Sequence, residues 1–247
     1  MQRDRKWCVK TIQALERAYL ILDQFAPGRF EMDLNELTRR TGLSKATVHR
    51  YCLTMRSADV LRYDAPTAMY SLGAHNIELG TLAVQSHPLA RIADRYMRDL
   101  MGDIERTLVL TVWDGTGPLI IRANDNSASV FQIQVRVGSR LDVFESAQGR
   151  VYLAFSERIR SQFEGRPELV ALEPRLEQIR DTGVSFRKGT RGQLVIAVPI
   201  GEGVSGTLAV LWSEPTVEPS ILVGLKQAAA FLSEGLSADG RVPTLAP

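Results

Sequence analysis

The chain has 247 residues, 45% of them apolar and 23% charged, with a net charge of +2 at pH 7. That length can bury a sizeable core, in one large domain or two smaller ones, and the composition is ordinary for a soluble globular protein. No apolar run approaches the roughly 18–20 residues of a membrane span, so a membrane protein is excluded.

The first residues, Met-Gln-Arg-Asp-Arg-Lys-Trp, precede no apolar stretch of the signal-peptide kind. Only Cys8 and Cys52 are present, with no CxxC spacing, which points to a reducing, cytoplasmic setting with thiols as buried fillers. Ile12, Leu15, Tyr19, Leu22 and Phe25 fall at helical spacing, and Pro27-Gly28 ends that helix. Asp33, with Glu36 three residues on, is a capping-box-like start for a second helix. It packs through Leu34 and Leu37, runs through Arg39-Arg40-Thr41 and stops at Gly42. Ser44 is placed to cap a third helix, in which Val48, Cys52 and Met55, with Tyr51 alongside, share one apolar face. The opposite face carries Ala46, His49 and Arg50, with Lys45 near the first turn. Apolar behind and basic in front, entered through a tight glycine turn, it has the pattern of a helix-turn-helix reading helix. A merely solvated amphipathic helix is the alternative on these residues alone.

The charge pattern favours the first reading. Residues 39–62 hold six cations (Arg39, Arg40, Lys45, Arg50, Arg56, Arg62) against the single anion Asp59, a local surplus that attracts a polyanion. Residues 88–247 hold 18 Lys/Arg against 19 Asp/Glu. Residues 60–63 and 69–72 read as two short strands around the turn Asp64-Ala65-Pro66-Thr67, completing a winged helix-turn-helix. In that arrangement His49 and Arg50 meet bases or phosphates and Lys45 meets phosphate. Arg39, Arg40 and Arg62 are backbone contacts or plain surface.

After Gly73 a linker helix is expected to Ser86, broken at His87-Pro88. Leu89, Ile92, Ala93, Tyr96 and Leu100 mark another amphipathic helix. Strands are expected at 107–113 and 119–121 around Asp114-Gly115-Thr116-Gly117. A third is expected at 131–137, where Phe131, Ile133, Val135 and Val137 alternate with polar residues. A loop over 138–146 leads to helices at 147–155 and 173–181, the second stopped at Gly183. Strands follow at 194–200 and 206–212, then a helix at 219–236 and a disordered tail beyond Gly240. The order suggests an α+β sensor domain, an antiparallel sheet with helices on its face. Three scattered histidines (49, 75 and 87) and none later argue against a metal site and against a Ser-His-Asp arrangement in the second half, so no enzyme and no cofactor is expected. The Gly-rich GEGVSG segment lies between strands and reads as a hairpin turn, not a phosphate loop. Trp113, Phe144, Tyr152 and Trp212 are candidates for either core or pocket. An enzyme or sensor module with a winged helix that binds no DNA, and a winged helix serving a protein interface, remain as other classes.

The segments IQALERAYLILDQF, LNELTRRTGLSKATVHRYCLTM and MYSLG resemble the winged helix of the IclR-type bacterial transcriptional regulators. VGSRLDVFESAQGRVYLAF, IRDTGVSF and GQLVIAVPI resemble parts of that family's GAF-like ligand-sensing domain. The resemblance implies a homodimer or homotetramer that binds a pseudo-palindromic double-stranded operator and responds to a small organic effector. Its DNA-contacting helix matches Ser44, Lys45, Ala46, Thr47, His49 and Arg50, with Ala46 where the family usually has Ser. Its effector-lining positions match Ala147, Gln148, Ser185, Val195, Leu211 and Ser213, with Phe144 as an added aromatic candidate. Gly149-Arg150 stands where the family often has Gly-Lys. Ser185, Val195 and Leu211 make the pocket more apolar than in acid-binding members, so an aromatic or aliphatic effector is expected. The implied domains are a winged helix-turn-helix over 1–72, a linker helix over 73–87, a GAF-like domain over 88–240 and a tail over 241–247.

Overall fold

The structure is a computed structural model that describes residues 12–93, 106–125, 135–189, 193–212 and 219–238. The chain divides into two compact units between Ala83 and Val84.

In the first unit α1 (Gln13–Leu22), α2 (Leu34–Thr41) and α3 (Lys45–Ser57) pack around Ile21, Leu37, Val48 and Cys52, all fully buried. Each large aliphatic side chain removed from water there contributes about 1.5–3 kcal/mol. Asp33 caps α2 by accepting the Glu36 N–H at 2.7 Å, but the reciprocal half of a capping box is not made. The Glu36 carboxylate turns to Arg39 and Arg40 instead. Gly42 ends α2 at φ +68°, a left-handed conformation that side chains with a Cβ resist. Ser44 then caps α3 by accepting the Thr47 N–H. Of the stripe expected to bury α1, Ile12, Leu15 and Tyr19 are exposed instead, with Ile21 as the buried anchor.

The wing is β2 (Leu61–Asp64) against β3 (Met69–Leu72), in the register Leu61↔Leu72 to Asp64↔Met69. A short strand β1 (Glu31–Met32), not evident in the sequence, adds to the other edge of β3 and gives the order β1-β3-β2. The close of the wing is tied to the end of α3. The Gly73 N–H donates to the Val60 carbonyl at 2.9 Å, and the Asn76 side chain donates to the same carbonyl at 2.7 Å. A Cβ on Gly73 would lie 2.0 Å from the Asp59 carbonyl oxygen, so only glycine fits this crossing. Helix α4 (His75–Ser86) follows, with no fully buried residue.

The second unit is a five-stranded antiparallel sheet in the order β5-β4-β8-β7-β6. Its strands are β4 (Thr107–Trp113), β5 (Pro118–Asp125), β6 (Ser185–Lys188), β7 (Leu194–Ile200) and β8 (Gly206–Trp212). Because side chains alternate across a strand, the sheet has two apolar faces, and helices cover both. Leu108, Leu110, Ile196, Leu208 and Val210 meet α5 (described over residues 88–93) and α9 (Pro219–Ala238). Val109, Trp113, Ala197 and Ala209 meet α6 (Ala147–Phe155) and α8 (Pro167–Thr182), with the short α7 (Glu157–Arg160) between those two. The helix expected at 173–181 thus begins at Pro167 and carries Pro174 inside it. Residues 135–137 are not strand, and the rest of the strand expected there lies outside the described residues, as do the tail and Ser213.

Candidate nucleic-acid interface and ligand cavity

On α3 the capping geometry decides which side faces out. Val48, Cys52 and Met55 turn into the core; Lys45, Ala46, His49 and Arg50 are exposed, and Thr47 is half-buried. Burial pushes the Cys52 thiol up to about 11, which leaves it a neutral apolar filler. The Ser44 and Thr47 hydroxyls are 2.8 Å apart and engaged with each other at the helix start. Lys45, Arg50 and the exposed Arg62 of β2 have no carboxylate partner among the described residues. The other cations of the cluster are already spent locally. Arg39 forks onto Glu36 at 2.8 and 2.9 Å, Arg40 shares the same carboxylate, and Arg56 lies 4.9 Å over the Tyr63 ring. Both arginines hold the Glu36 carboxyl below its ordinary range. The basic surplus counted from the sequence is therefore smaller at the surface, because Glu36 sits just outside the counted window and engages two of the six cations. What remains is concentrated on the exposed side of α3 and on the wing.

The sheet of the second unit meets the start of α6 at a cavity of about 300 Å³. Ser146 caps α6 by accepting the Gly149 N–H at 2.9 Å, so the free N–H groups of the first turn and the positive end of the helix dipole lie at the cavity wall. Val109, Ile120, Val135, Leu141, Val195 and Leu211 form the apolar lining. The loop 138–141 is laid along β5 by three backbone hydrogen bonds, Gly138 to Ile120, Ile120 to Ser139 and Leu141 to Pro118. It is locked by the ion pair of Arg140 with Asp114. Burial acts to raise the Asp114 pKa, but hydrogen bonds from Arg140 and Thr116 outweigh it and hold the carboxyl below its usual range.

Four expected positions, Ala147, Gln148, Val195 and Leu211, line this cavity. Two do not. Phe144 packs edge-on against Phe163, with ring centroids 5.3 Å apart, and lies under Arg166. Ser185 is fully buried in β6 opposite Ala197, its hydroxyl without a hydrogen-bond partner. Trp113 and Tyr152 are core, their rings tilted against each other with centroids 5.3 Å apart, and the Tyr152 hydroxyl donates to the Thr111 carbonyl. Polar residues that sequence reasoning missed are Arg187, Gln193, Ser146 and the two acids Asp142 and Glu145. Arg187 lies two residues after Ser185, hence on the same face of β6; recognising that four-residue strand would have found it. Its guanidinium pairs with Glu145 at 2.6 Å. The wall is thus less apolar than Ser185, Val195 and Leu211 suggested.

Comparison with known proteins agrees with both halves of this geometry. The IclR helix-turn-helix domain model matches residues 14–65, and the model of the bacterial transcriptional regulator IclR C-terminal domain matches residues 81–210. The chain is 28% identical to the HTH-type transcriptional regulator KdgR of Escherichia coli over 204 residues, covering 77% of each protein. It is 24% identical to the glycerol operon regulatory protein of Streptomyces coelicolor, covering 93% of this chain and 98% of that one. Among solved structures, an IclR homolog from Microbacterium hydrocarbonoxydans complexed with 4-hydroxybenzoate superposes with a TM-score of 0.76 at 23% identity, covering 91% of this chain and 99% of that one. The chain belongs to the IclR family of bacterial transcriptional regulators, joining a DNA-binding helix-turn-helix domain to a C-terminal ligand-binding domain.

Proposed function

We propose that this regulator acts in the cytoplasm as a homodimer or homotetramer, placing two copies of α3 in successive major grooves of a pseudo-palindromic operator. The observation that carries this reading is a helix with one face fully buried and Lys45, His49 and Arg50 standing free on the other. Arg50 and His49 read base edges or phosphates, Lys45 and Arg62 meet phosphate, and the Ser44 and Thr47 hydroxyls remain near the backbone. Arg39 and Arg40 keep terminal N–H groups beyond their bonds to Glu36 with which to meet phosphate, at reduced net charge. Assembly is supported by apolar side chains left in water on two helices of the first unit: Ile12 and Leu15 at α1, and Ile77, Leu79 and Leu82 on α4. Within this scheme residues 1–72 bind DNA, 73–87 link and 88–240 sense.

The effector we infer is a small carboxylic acid with an aromatic or short aliphatic body. Its carboxylate suits Arg187 and the N-terminus of α6, and its body suits Val109, Val195 and Leu211. The 4-hydroxybenzoate held by a structural relative is a ligand of this type. Effector binding regulates to the extent that it favours one placement of the reading helices over another. The test is fluorescence anisotropy with the fragment upstream of the protein's own gene, titrated between 50 and 200 mM salt. Saturable binding that weakens steeply with salt, and that one of a panel of aromatic and short-chain acids shifts, is expected. Binding insensitive to both would sink the reading.

A further inference from the structure

On the outer side of β6, a second concavity of about 580 Å³ is walled by α6 and α8. Four of its lining residues are cations: Arg150 from α6, Arg175 from α8, and Arg187 and Lys188 from β6. Arg187 carries the one carboxylate partner there, Glu145; Arg150, Arg175 and Lys188 are paired with none among the described residues. On α8, Glu173 is already held by Arg160 at 2.8 Å and Arg180 at 2.7 Å. Arg150 is fixed by a hydrogen bond from its Nε to the Phe144 carbonyl at 2.8 Å, which leaves its terminal N–H groups to donate. Like charges gathered in a half-buried groove disfavour one another. Burial first, then Arg187 and Arg175, pull the Arg150 pKa down against the opposing pull of Glu145, so one carboxylate only partly compensates the four cations.

We propose that this groove is a second ligand site, separate from the effector cavity, for a small multiply charged oxyanion of the phosphate-ester class. A monocarboxylate would leave most of the cluster uncompensated, whereas a phosphate dianion offers the charge and the three oxygens that arginine forks bind two at a time. Leu172 and the exposed Phe186 supply apolar wall for an organic body. Arg187 lines both concavities. An anion that draws it from Glu145 therefore alters the charge facing the effector, and by reciprocity the effector alters affinity for the anion.

Thermal melts of the full chain at constant ionic strength, in pyrophosphate, acetate or chloride, test this. Pyrophosphate should raise the melting temperature saturably, while acetate should match chloride. The double variant Arg175→Ala/Lys188→Ala changes only exposed side chains. It should melt no lower than the parent in chloride, bind pyrophosphate at least about tenfold more weakly, and still bind 4-hydroxybenzoate as the parent does. No pyrophosphate response in the parent, or an equal response in the double variant, overturns the proposal. A double variant that keeps the pyrophosphate response but loses affinity for duplex DNA would reassign the groove to nucleic acid, and equally overturns it.

Discussion

Arg50 stands on the outward side of α3 with no carboxylate to hold it, so its guanidinium is available to a base edge or phosphate without breaking an existing bond. Arg50→Ala should cost about 1–3 kcal/mol on operator DNA, whereas Lys45→Ala should weaken all duplexes alike and lower the salt slope by about 1. Anisotropy titrations on specific and scrambled DNA separate the two. In the second unit Ala147 is buried at the cavity wall beside the start of α6. Ala147→Leu fills the space in which the effector is proposed to bind. It should abolish the response to effector while leaving operator affinity unchanged, with the circular dichroism spectrum confirming the fold.

At the scale of elements, the wing is set by one crossing. Adding a methyl group at Gly73 forces the Asp59–Val60 backbone away, and the Asn76 hydrogen bonds with it. Gly73→Ala should therefore destabilise the first unit by roughly 1–3 kcal/mol, read as a lowered melting temperature. His87, between α4 and α5, gives a pH signature. Burial pulls its pKa below 6.5, so the unfolded chain takes up the proton first as pH falls. Stability is full above pH 6.5 and declines below it, and His87→Gln should flatten that slope in urea titrations at pH 7.5 and 5.5. Elements bounded by local chemistry were legible in the sequence: Asp33, Gly42 and Ser44 mark both ends of the helix-turn-helix turn. Two short strands and the start of one helix were not. Strand β1 has only two residues, β6 buries Ser185 and exposes Phe186 so that its alternation misleads, and Pro174 hides the first turns of α8. The same blindness explains the site: Ala147, Gln148, Val195 and Leu211 came from family resemblance, while Arg187, carried on the unread β6, was missed.

For the whole molecule, the apolar side chains exposed on α1 and α4 are the surface on which the proposed assembly rests. Ile77 and Leu82 are 73% and 60% exposed, a poor arrangement for a monomer in water. Leu82→Asp should shift the sedimentation coefficient toward the monomer. Operator affinity should fall with it, because a single α3 makes only half of the contacts.

Glu36 has a bearing on where such a regulator spends its time. By pairing with both Arg39 and Arg40, one carboxylate offsets one of their two charges while leaving Lys45 and Arg50 untouched. Binding to random sequence rests almost entirely on phosphate contacts, and the chromosome offers vast numbers of wrong sites. On the proposed reading by α3, Glu36→Gln should therefore tighten binding to random duplex more than binding to the operator, and so slow the search for the rare correct address.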